Sequence, residues 1–306
     1  MEKIITLTLN PAIDKTTTTE KIEPEKKLKC VHPTYEPGGG GINVSRALQH
    51  LGKRSCALYF GGGFNGPFFK KLLEQEQVVA EEITVNTHIR TNIIVFENAS
   101  QQQYRFGMES QPVAERDWQL CLQILDEKEG FDFLIASGSL PQGVPADFFG
   151  RVAAIVKKKN AKLIVDTSGN ALQKAIEEGV FLIKPNVAEL GSLYGKETLT
   201  KNEIRLAVQS VIAKGGCEVL VVSLGSEGAI LATKEVYHHI TPPKIKVMST
   251  VGAGDSMVAG LVYALSEGMC LRDVLKYGVA CGSSATMHMG TALCQQEDVT
   301  ELLKYL

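Results

Sequence analysis

Asp255 stands behind two glycines at the foot of an apolar run, in the stretch "STVGAGDSMVAG" (249–260). A helix N-terminus carries free N–H groups and the positive end of the helix dipole, so it attracts anions. Gly252 and Gly254 let backbone approach such an anion closely. Amides converging on one point stabilise the charge that develops on a phosphoryl group in transfer. A carboxylate is no ligand for phosphate, because like charges repel. Asp255 is suited instead to accept the proton of an attacking hydroxyl. Taken alone, GxGD also reads as a plain N-cap after a glycine turn. It is not a Walker A loop, since the GK[ST] ending is missing.

Three more clusters could bind a ligand. "PGGGGINVSRAL" (37–48) opens a helix with four glycines, and Asn43 can donate and accept hydrogen bonds to hydroxyls. A dinucleotide fingerprint fits poorly here, because Asn43 replaces the last glycine of GxGxxG and no buried strand precedes it. In "KPNVAEL" (184–190), Asn186 and Glu189 share a face if a helix begins there. That pair suits Mg2+, often through water, and equally resembles a capping box. "SLGSEG" (223–228) leaves an apolar strand and turns at glycines, at the carboxyl edge where sheets bind ligands.

The elements that must position these residues are legible as alternating strand-like and helix-like segments. "IITLTL" leads on to "INVSRALQHLG", "CALYF" to "PFFKKLLEQEQ", "FDFLIASGS" to "PADFFGRVAAIVKKKN", and "KLIVDTS" to "NALQKAIEEG". "VFLIKPN" then precedes "VAELGSLYG", and "EVLVVSLG" precedes "GAILATKEVYHHI". This alternation predicts an α/β fold with a mostly parallel sheet covered by helices on both faces. Two segments break the rhythm: 15–36 and 90–109, rich in β-branched, aromatic and charged residues. Both read as hairpins with one wet face, together forming a small β lid, the alternative being two unrelated surface hairpins. The expected division is a core of 1–13, 37–86 and 110–306 and a lid of 14–36 and 87–109.

Bulk properties narrow the function classes. The 306 residues include 44% hydrophobic residues and carry a net charge of −2, so a large core is expected, with no nucleic-acid surface or basic membrane patch. Seven dispersed cysteines without a CxxC pair read as reduced buried thiols in a cytoplasmic protein. The start "MEKIITLTLN" enters a strand pattern directly, so no signal peptide is expected. The uncharged stretch 277–296 is too rich in Gly, Ser, Thr, His and Gln for a membrane span.

"PGGGGINVSRAL", "SGSLPQGV", "VDTSGNAL", "KPNVAEL", "VVSLGSEGA", "STVGAGDSMVAG" and "MHMGTALC" follow one another across nearly the whole chain. In that order they resemble the phosphofructokinase B group of the ribokinase-like sugar kinases, closest to its 6-phosphofructokinases of the isozyme 2 type. The resemblance implies a Rossmann-like three-layer core with a β-sheet lid, paired with another subunit's lid in a homodimer. It implies transfer of the γ-phosphoryl group of ATP, with Mg2+ on the nucleotide and K+ as a candidate second cation. The acceptor would be the 1-hydroxyl of fructose 6-phosphate, giving fructose 1,6-bisphosphate.

Carried over by the resemblance, Asp255 is the base and Gly252, Ala253 and Gly254 form the anion hole. Lys184, Asn186, Ser223, Leu224, Gly225, Gly228, Ser249, Val279 and His288 fall on the nucleotide side, with Glu189 beside Asn186 for Mg2+. Ser249, Val251, Ala285 and Gly290 fall where the family binds a monovalent cation, mainly through carbonyls. Asp14, Gly39, Gly40, Gly41, Asn43 and Ser139 match sugar contacts. Arg90, with Lys27 as second choice, matches the cation for the sugar phosphate. "LTLNPAID" (7–14) equally resembles 1-phosphofructokinases and tagatose-6-phosphate kinases, but those relatives carry "GGKG" where this chain has "GGGG". Ala292 departs from the arginine expected near the cation loop. A catalytically silent sugar-phosphate or nucleotide sensor is the rival of another class, and it would have no need of Asp255.

Overall fold

The computed structural model describes residues 3–306, so residues 1 and 2 of the expected core segment 1–13 lie outside the described residues. The chain begins with β1 (Ile4–Thr8), β2 (Ala12–Thr19), β3 (Cys30–Gly38), α1 (Gly40–His50), β4 (Cys56–Gly61), α2 (Gly66–Gln75) and β5 (Val79–Thr84). It continues with β6 (Arg90–Glu97), β7 (Gln102–Phe106), α3 (Glu115–Glu127), β8 (Phe133–Ser137), α4 (Phe148–Lys158), β9 (Lys162–Asp166), α5 (Gly169–Glu178) and β10 (Val180–Ile183). Then come α6 (Val187–Tyr194), α7 (Lys201–Ala213), β11 (Cys217–Ser223), β12 (Ala229–Ala232), β13 (Tyr237–Ile240), α8 (Ala253–Ser266), α9 (Leu271–Thr286) and α10 (Gln296–Leu303).

Nine strands form one sheet in the order β13-β12-β11-β10-β9-β8-β1-β4-β5. The row from β5 to β11 is parallel throughout. Each central strand is apolar on both faces, and the faces separate by alternation. Along β8, Leu134 and Ala136 pack with α3 to α7, whereas Phe133 and Ile135 pack with α1, α8, α9 and α10. Two cores on opposite faces of one sheet make the expected three-layer α/β architecture.

The sheet ends differently from the strand–helix rhythm. "GAILATKEVYHHI" folds as the antiparallel pair β12–β13. Its turn is built by Thr233, whose hydroxyl accepts hydrogen bonds from the amides of Glu235 and Val236, both at 3.1 Å. That local closure competes with helix formation.

The two segments that break the alternation meet in a second, four-stranded sheet of order β3-β2-β6-β7. Each is an antiparallel hairpin, and β2 joins β6 in parallel, so the sheet pairs residues 78 apart in sequence, from Ala12 with Arg90 to Thr19 with Glu97.

None of the seven cysteines forms a disulfide, but Cys30 and Cys270 are exposed, which corrects the expectation of wholly buried thiols. Both fall at element ends, Cys30 at the start of β3 and Cys270 as the N-cap of α9. Among the described residues no helix is long and apolar enough to cross a membrane.

Candidate active site

Sheet order reverses at β1: the chain moves outward through β4 and β5, then returns to add β8 on the other side. Such a reversal opens a crevice beyond the carboxyl ends of the strands. Asn10, just after β1, bridges it by donating to Ser139 Oγ at 3.0 Å. The strands along this edge deliver Ser137, Asp166, Lys184 and Ser223 in turn.

Helix α8 aims its N-terminus into the crevice. It is apolar on nearly all sides because it lies between α1 and α9, which explains the run "MVAGLVYAL" behind Asp255. Gly252 caps it in the left-handed region, φ 73°, a conformation that strains any other side chain and turns the chain abruptly into the helix. The first-turn amides, among them those of Ala253 and Gly254, have no carbonyl partner four residues back within the helix.

Asp255 occupies that first turn and accepts a hydrogen bond from Asn43 Nδ2 at 2.9 Å. Asn43 itself lies one turn into α1, buried above the run Gly39–Gly41. Burial pushes the Asp255 carboxyl up to about 7, with the Asp166 charge adding to the rise and Asn43 and Lys184 opposing it. A base titrating near neutrality is suited to receiving a hydroxyl proton.

Lys184 and Asp166 form a buried ion pair at 3.2 Å. Burial disfavours the ammonium, but the carboxylates of Asp166, Asp255 and Glu189 outweigh it and raise its pKa. Asp166 is raised by burial, with Lys184 opposing. Asn186 and Glu189 make the capping box: Glu189 N donates to Asn186 Oδ1 at 2.9 Å, and Asn186 N to Glu189 Oε2 at 2.8 Å. The remaining carboxylate oxygen leaves room for a second role, and burial raises this carboxyl too.

A cavity of about 920 Å³ opens beside the α8 N-terminus. Asn186, Ser223, Gly225, Gly228, Ala253, Gly254 and Val279 line it, together with the 241–247 segment, Thr250, Met257 and Thr286. His288 is not part of this lining; it pairs with Asp298 at 2.6 Å and so joins the segment after α9 to α10. Leu224 turns the chain by donating its amide to Gly228 O at 2.8 Å. Ser249 Oγ donates to Gly290 O at 3.1 Å and accepts from Val251 N at 3.2 Å, while Met248 and Ser249 both donate to Thr286 O beside Ala285. The segments 248–251 and 286–290 thus meet behind the glycine loop.

Across the crevice stands the small sheet. Asp14 on β2 accepts from Asn92 Nδ2 at 2.9 Å, and Asn92 Oδ1 lies 3.4 Å from Arg90 Nη1. Arg90 also donates to Met108 O at 3.0 Å, yet its buried Nε finds no hydrogen-bond partner. Lys27 lies away from this group, on the exposed segment between β2 and β3. Asp166, Asn92 and Arg46 were not singled out in the sequence, although Asp166 and Arg46 lie inside quoted motifs. Asn92 could have been found only from the cross-strand register.

Asp255 and the N-terminus of α8 thus lie between a large cavity and Asp14 on the small sheet. The match of residues 5–298 to the model of the "pfkB family carbohydrate kinase" agrees with it. The chain belongs to that family. Among its relatives, the ATP-dependent 6-phosphofructokinase isozyme 2 of Escherichia coli is 40% identical, with 100% of this chain and 99% of that one covered. The Mycobacterium tuberculosis protein of the same name is 43% identical over 97% and 88%. The crystal structure of the phosphofructokinase-2 from E. coli in complex with potassium superposes with a TM-score of 0.95 at 39% identity, covering 100% and 99% of the two chains. Its complex with fructose-6-phosphate gives 0.94 at 38% identity with the same coverage.

Two outcomes are expected for this kinase. Asp255→Asn keeps shape without basicity, so kcat should fall by about 10²–10⁴ while ATP binding persists. The folded protein holds the Asp255 proton between the unfolded value of 3.8 and about 7, so stability falls as pH rises through that window. Asn, with no charge to bury, should therefore raise the melting temperature at pH above 7, read by a thermal scan. Second, kcat/KM should rise with pH through an acid limb near 7. Asn43→Ala removes a hydrogen bond that favours the carboxylate, so the limb should move to higher pH in a pH–rate profile.

Proposed function

We propose that this chain is an ATP-dependent 6-phosphofructokinase, transferring the γ-phosphoryl group to the 1-hydroxyl of fructose 6-phosphate. The observation that carries the reading is Asp255, held by Asn43 at the N-terminus of α8 between the 920 Å³ cavity and Asp14. Asp255 takes the proton of the sugar hydroxyl, whose oxygen attacks the γ-phosphorus. The bond to ADP breaks, and the α8 amides meet the charge on the transferred group.

The nucleotide occupies the cavity, its phosphates toward Lys184 and Gly254; a Cβ on Gly254 would lie 3.5 Å from Lys184 Nζ. Glu189 and Asn186 would support Mg2+ mostly through water and phosphate oxygens, since no group of three or more acidic, His or Cys residues able to cage a metal exists among the described residues. The donor chemistry fits, because a cation would relieve three carboxyls that the site holds above their ordinary values. Mg2+ supplies neutralisation of the nucleotide phosphates. Ser249, Val251, Ala285 and Gly290 would hold K+, the ion named for the E. coli structure, and the hydrogen bond from Ser249 Oγ to Gly290 O, which brings two of them together, supports that reading.

Two features favour fructose 6-phosphate. The buried Arg90 Nε without a partner is a donor ready for a phosphate oxygen, and the guanidinium can meet two oxygens at once. A side chain at Gly40 would come within 2.3 Å of Ser137 Oγ and 2.7 Å of Gly138 N, so the lysine of the "GGKG" relatives has no room here unless that turn shifts. The Escherichia coli relative was solved with this sugar phosphate. In this reading the four-stranded sheet serves as the lid, and its strands β2 and β3 reach two residues beyond the expected bounds 14–36 at either end. Val31, Tyr35, Phe106 and Met108 leave apolar surface exposed on it, which supports a homodimer through the lid. Work on cytoplasmic ATP and fructose 6-phosphate would place the protein in the cytoplasm.

In a coupled ADP-release assay, fructose 6-phosphate should give a higher kcat/KM than tagatose 6-phosphate or fructose 1-phosphate; preference for either rival overturns the substrate. Arg90→Ala should lower kcat/KM for fructose 6-phosphate about ten- to a hundredfold, the loss of a charge-assisted hydrogen bond of about 1.5–3 kcal/mol. The KM for ATP should hardly move, and an equal rise in both KM values would disqualify Arg90 as the phosphate anchor. Glu189→Gln should lower activity and shift the Mg2+ titration to higher concentration; superimposable titrations would leave Glu189 as a helix cap only.

A further inference from the structure

Arg46 lies three residues after Asn43 on α1, with its side chain only 2% exposed. Its guanidinium reaches Glu36 Oε1 at 3.1 Å, Glu76 Oε2 at 3.2 Å and Pro37 O at 3.1 Å, and Asn43 Oδ1 and Thr291 O at 3.4 Å each. These partners come from lid strand β3, the C-cap of α2, α1 itself and the segment behind the glycine loop. Thr291 Oγ1 closes the group by donating to Glu36 Oε2 at 2.6 Å.

Glu36 is also the cross-strand neighbour of Asp14, and Asp14 is the cross-strand neighbour of Asn92. Three polar residues therefore lie in one row across β3, β2 and β6, the row that ends near Arg90. Arg46 grips one end of it. Through Asn43 it also touches the residue that donates to Asp255.

We infer that Arg46 is a positioning residue that fixes the lid row of Glu36 and Asp14 against Asn43, so that the acid binding the sugar and the base deprotonating it are held in one register. The inference rests on the reading of Asp255 as base and of the lid as the sugar side. A buried ion pair is by itself weak evidence for stability, and replacing such pairs by apolar groups is often neutral. What points to positioning is the spread of partners over four elements, which needs the planar, five-donor fork. Lysine keeps the charge but cannot reach all of these acceptors together.

The test is Arg46→Lys, Glu36→Gln and Thr291→Val in the full chain, with Asp255→Asn as control. Arg46→Lys should lower kcat and raise the KM for fructose 6-phosphate, together costing about tenfold or more in kcat/KM as charge-assisted bonds are lost. The KM for ATP should stay unchanged, because the nucleotide cavity touches none of these groups. Glu36→Gln should give the same split at smaller size, and the double variant should cost less than the sum of the two single changes, since both weaken the contact of Arg46 with Glu36. A lowered melting temperature with kcat and both KM values unchanged would overturn the inference. If Arg46→Lys does not fold, the same split in Glu36→Gln or Thr291→Val supports it, and unchanged kinetics in both overturns it. An active Asp255→Asn removes the underlying reading, whereas an inactive one beside an unaltered Arg46→Lys overturns this inference alone.

Discussion

The ion pair of Lys184 and Asp166, 3.2 Å apart and buried, sets the charge balance on which the cleft depends. A kinase for a sugar phosphate must admit two polyanions, yet this cleft gathers Asp14, Asp166, Glu189 and Asp255. Lys184 lowers the carboxyls of Asp166, Glu189 and Asp255, opposing the rise that burial imposes on each. With it, Asp166 and Asp255 are raised only so far that Asp255 titrates near 7. Lys184 is held up in turn by the same acids, so each charge makes the others tolerable. Such a pair adds little to stability compared with a packed apolar pair. Its place beside Gly254, at the positive end of α8, adds a positive charge to the field of that helix end, next to the cavity that the proposed function gives to the nucleotide.

The fold delivers this arrangement through strand ends. A parallel sheet brings all its carboxyl termini to one edge, so residues far apart in sequence arrive together without any contact along the strands. Asp166 closes β9, Lys184 follows β10, and Ser223 closes β11. The bridge between Asn186 and Ser223 fixes the last two connections against each other. The small sheet must come from elsewhere, and it is inserted between β1 and β4 and again between β5 and β8, on the two sides of the reversal in strand order. Its strands β2 and β6 therefore enter from neighbouring parts of the crevice and can pair in parallel over it.

The strand–helix rhythm, the glycine loop and its apolar helix were legible because each is written in consecutive residues. Periodicity reveals the apolar faces of β8 and α1, and the glycines mark where backbone must turn. The hairpin β12–β13 was not legible as such, because "GAILATKEVYHHI" has no strong turn dipeptide and its turn depends on one threonine hydroxyl. Asn186 and Glu189 were legible as a pair but not as to role. The structure makes the capping box and still leaves a carboxylate oxygen over, so the two readings are compatible rather than exclusive. Asn92 and Arg46 were illegible for a different reason. Their meaning lies in cross-strand register and in contacts across 245 positions of chain, as from Arg46 to Thr291, which no local pattern encodes.

Register also explains how two acids in one cleft can do different work. Asp14 and Asp255 are both raised by burial, and each is held by a single asparagine amide. Their other neighbours differ. Asp14 faces Glu36, which raises it, and the guanidiniums of Arg46 and Arg90, which lower it. Asp255 faces Asp166 more than any other charge and ends near 7. Two guanidiniums oppose the rise at Asp14, whereas a single ammonium, that of Lys184, opposes it at Asp255. Arg90 on the small sheet and Arg46 on α1 thus temper the rise at Asp14, while Asp166 in the core adds to the rise at Asp255. Under the proposed function, these separate surroundings let Asp14 hold the sugar while Asp255 takes its proton.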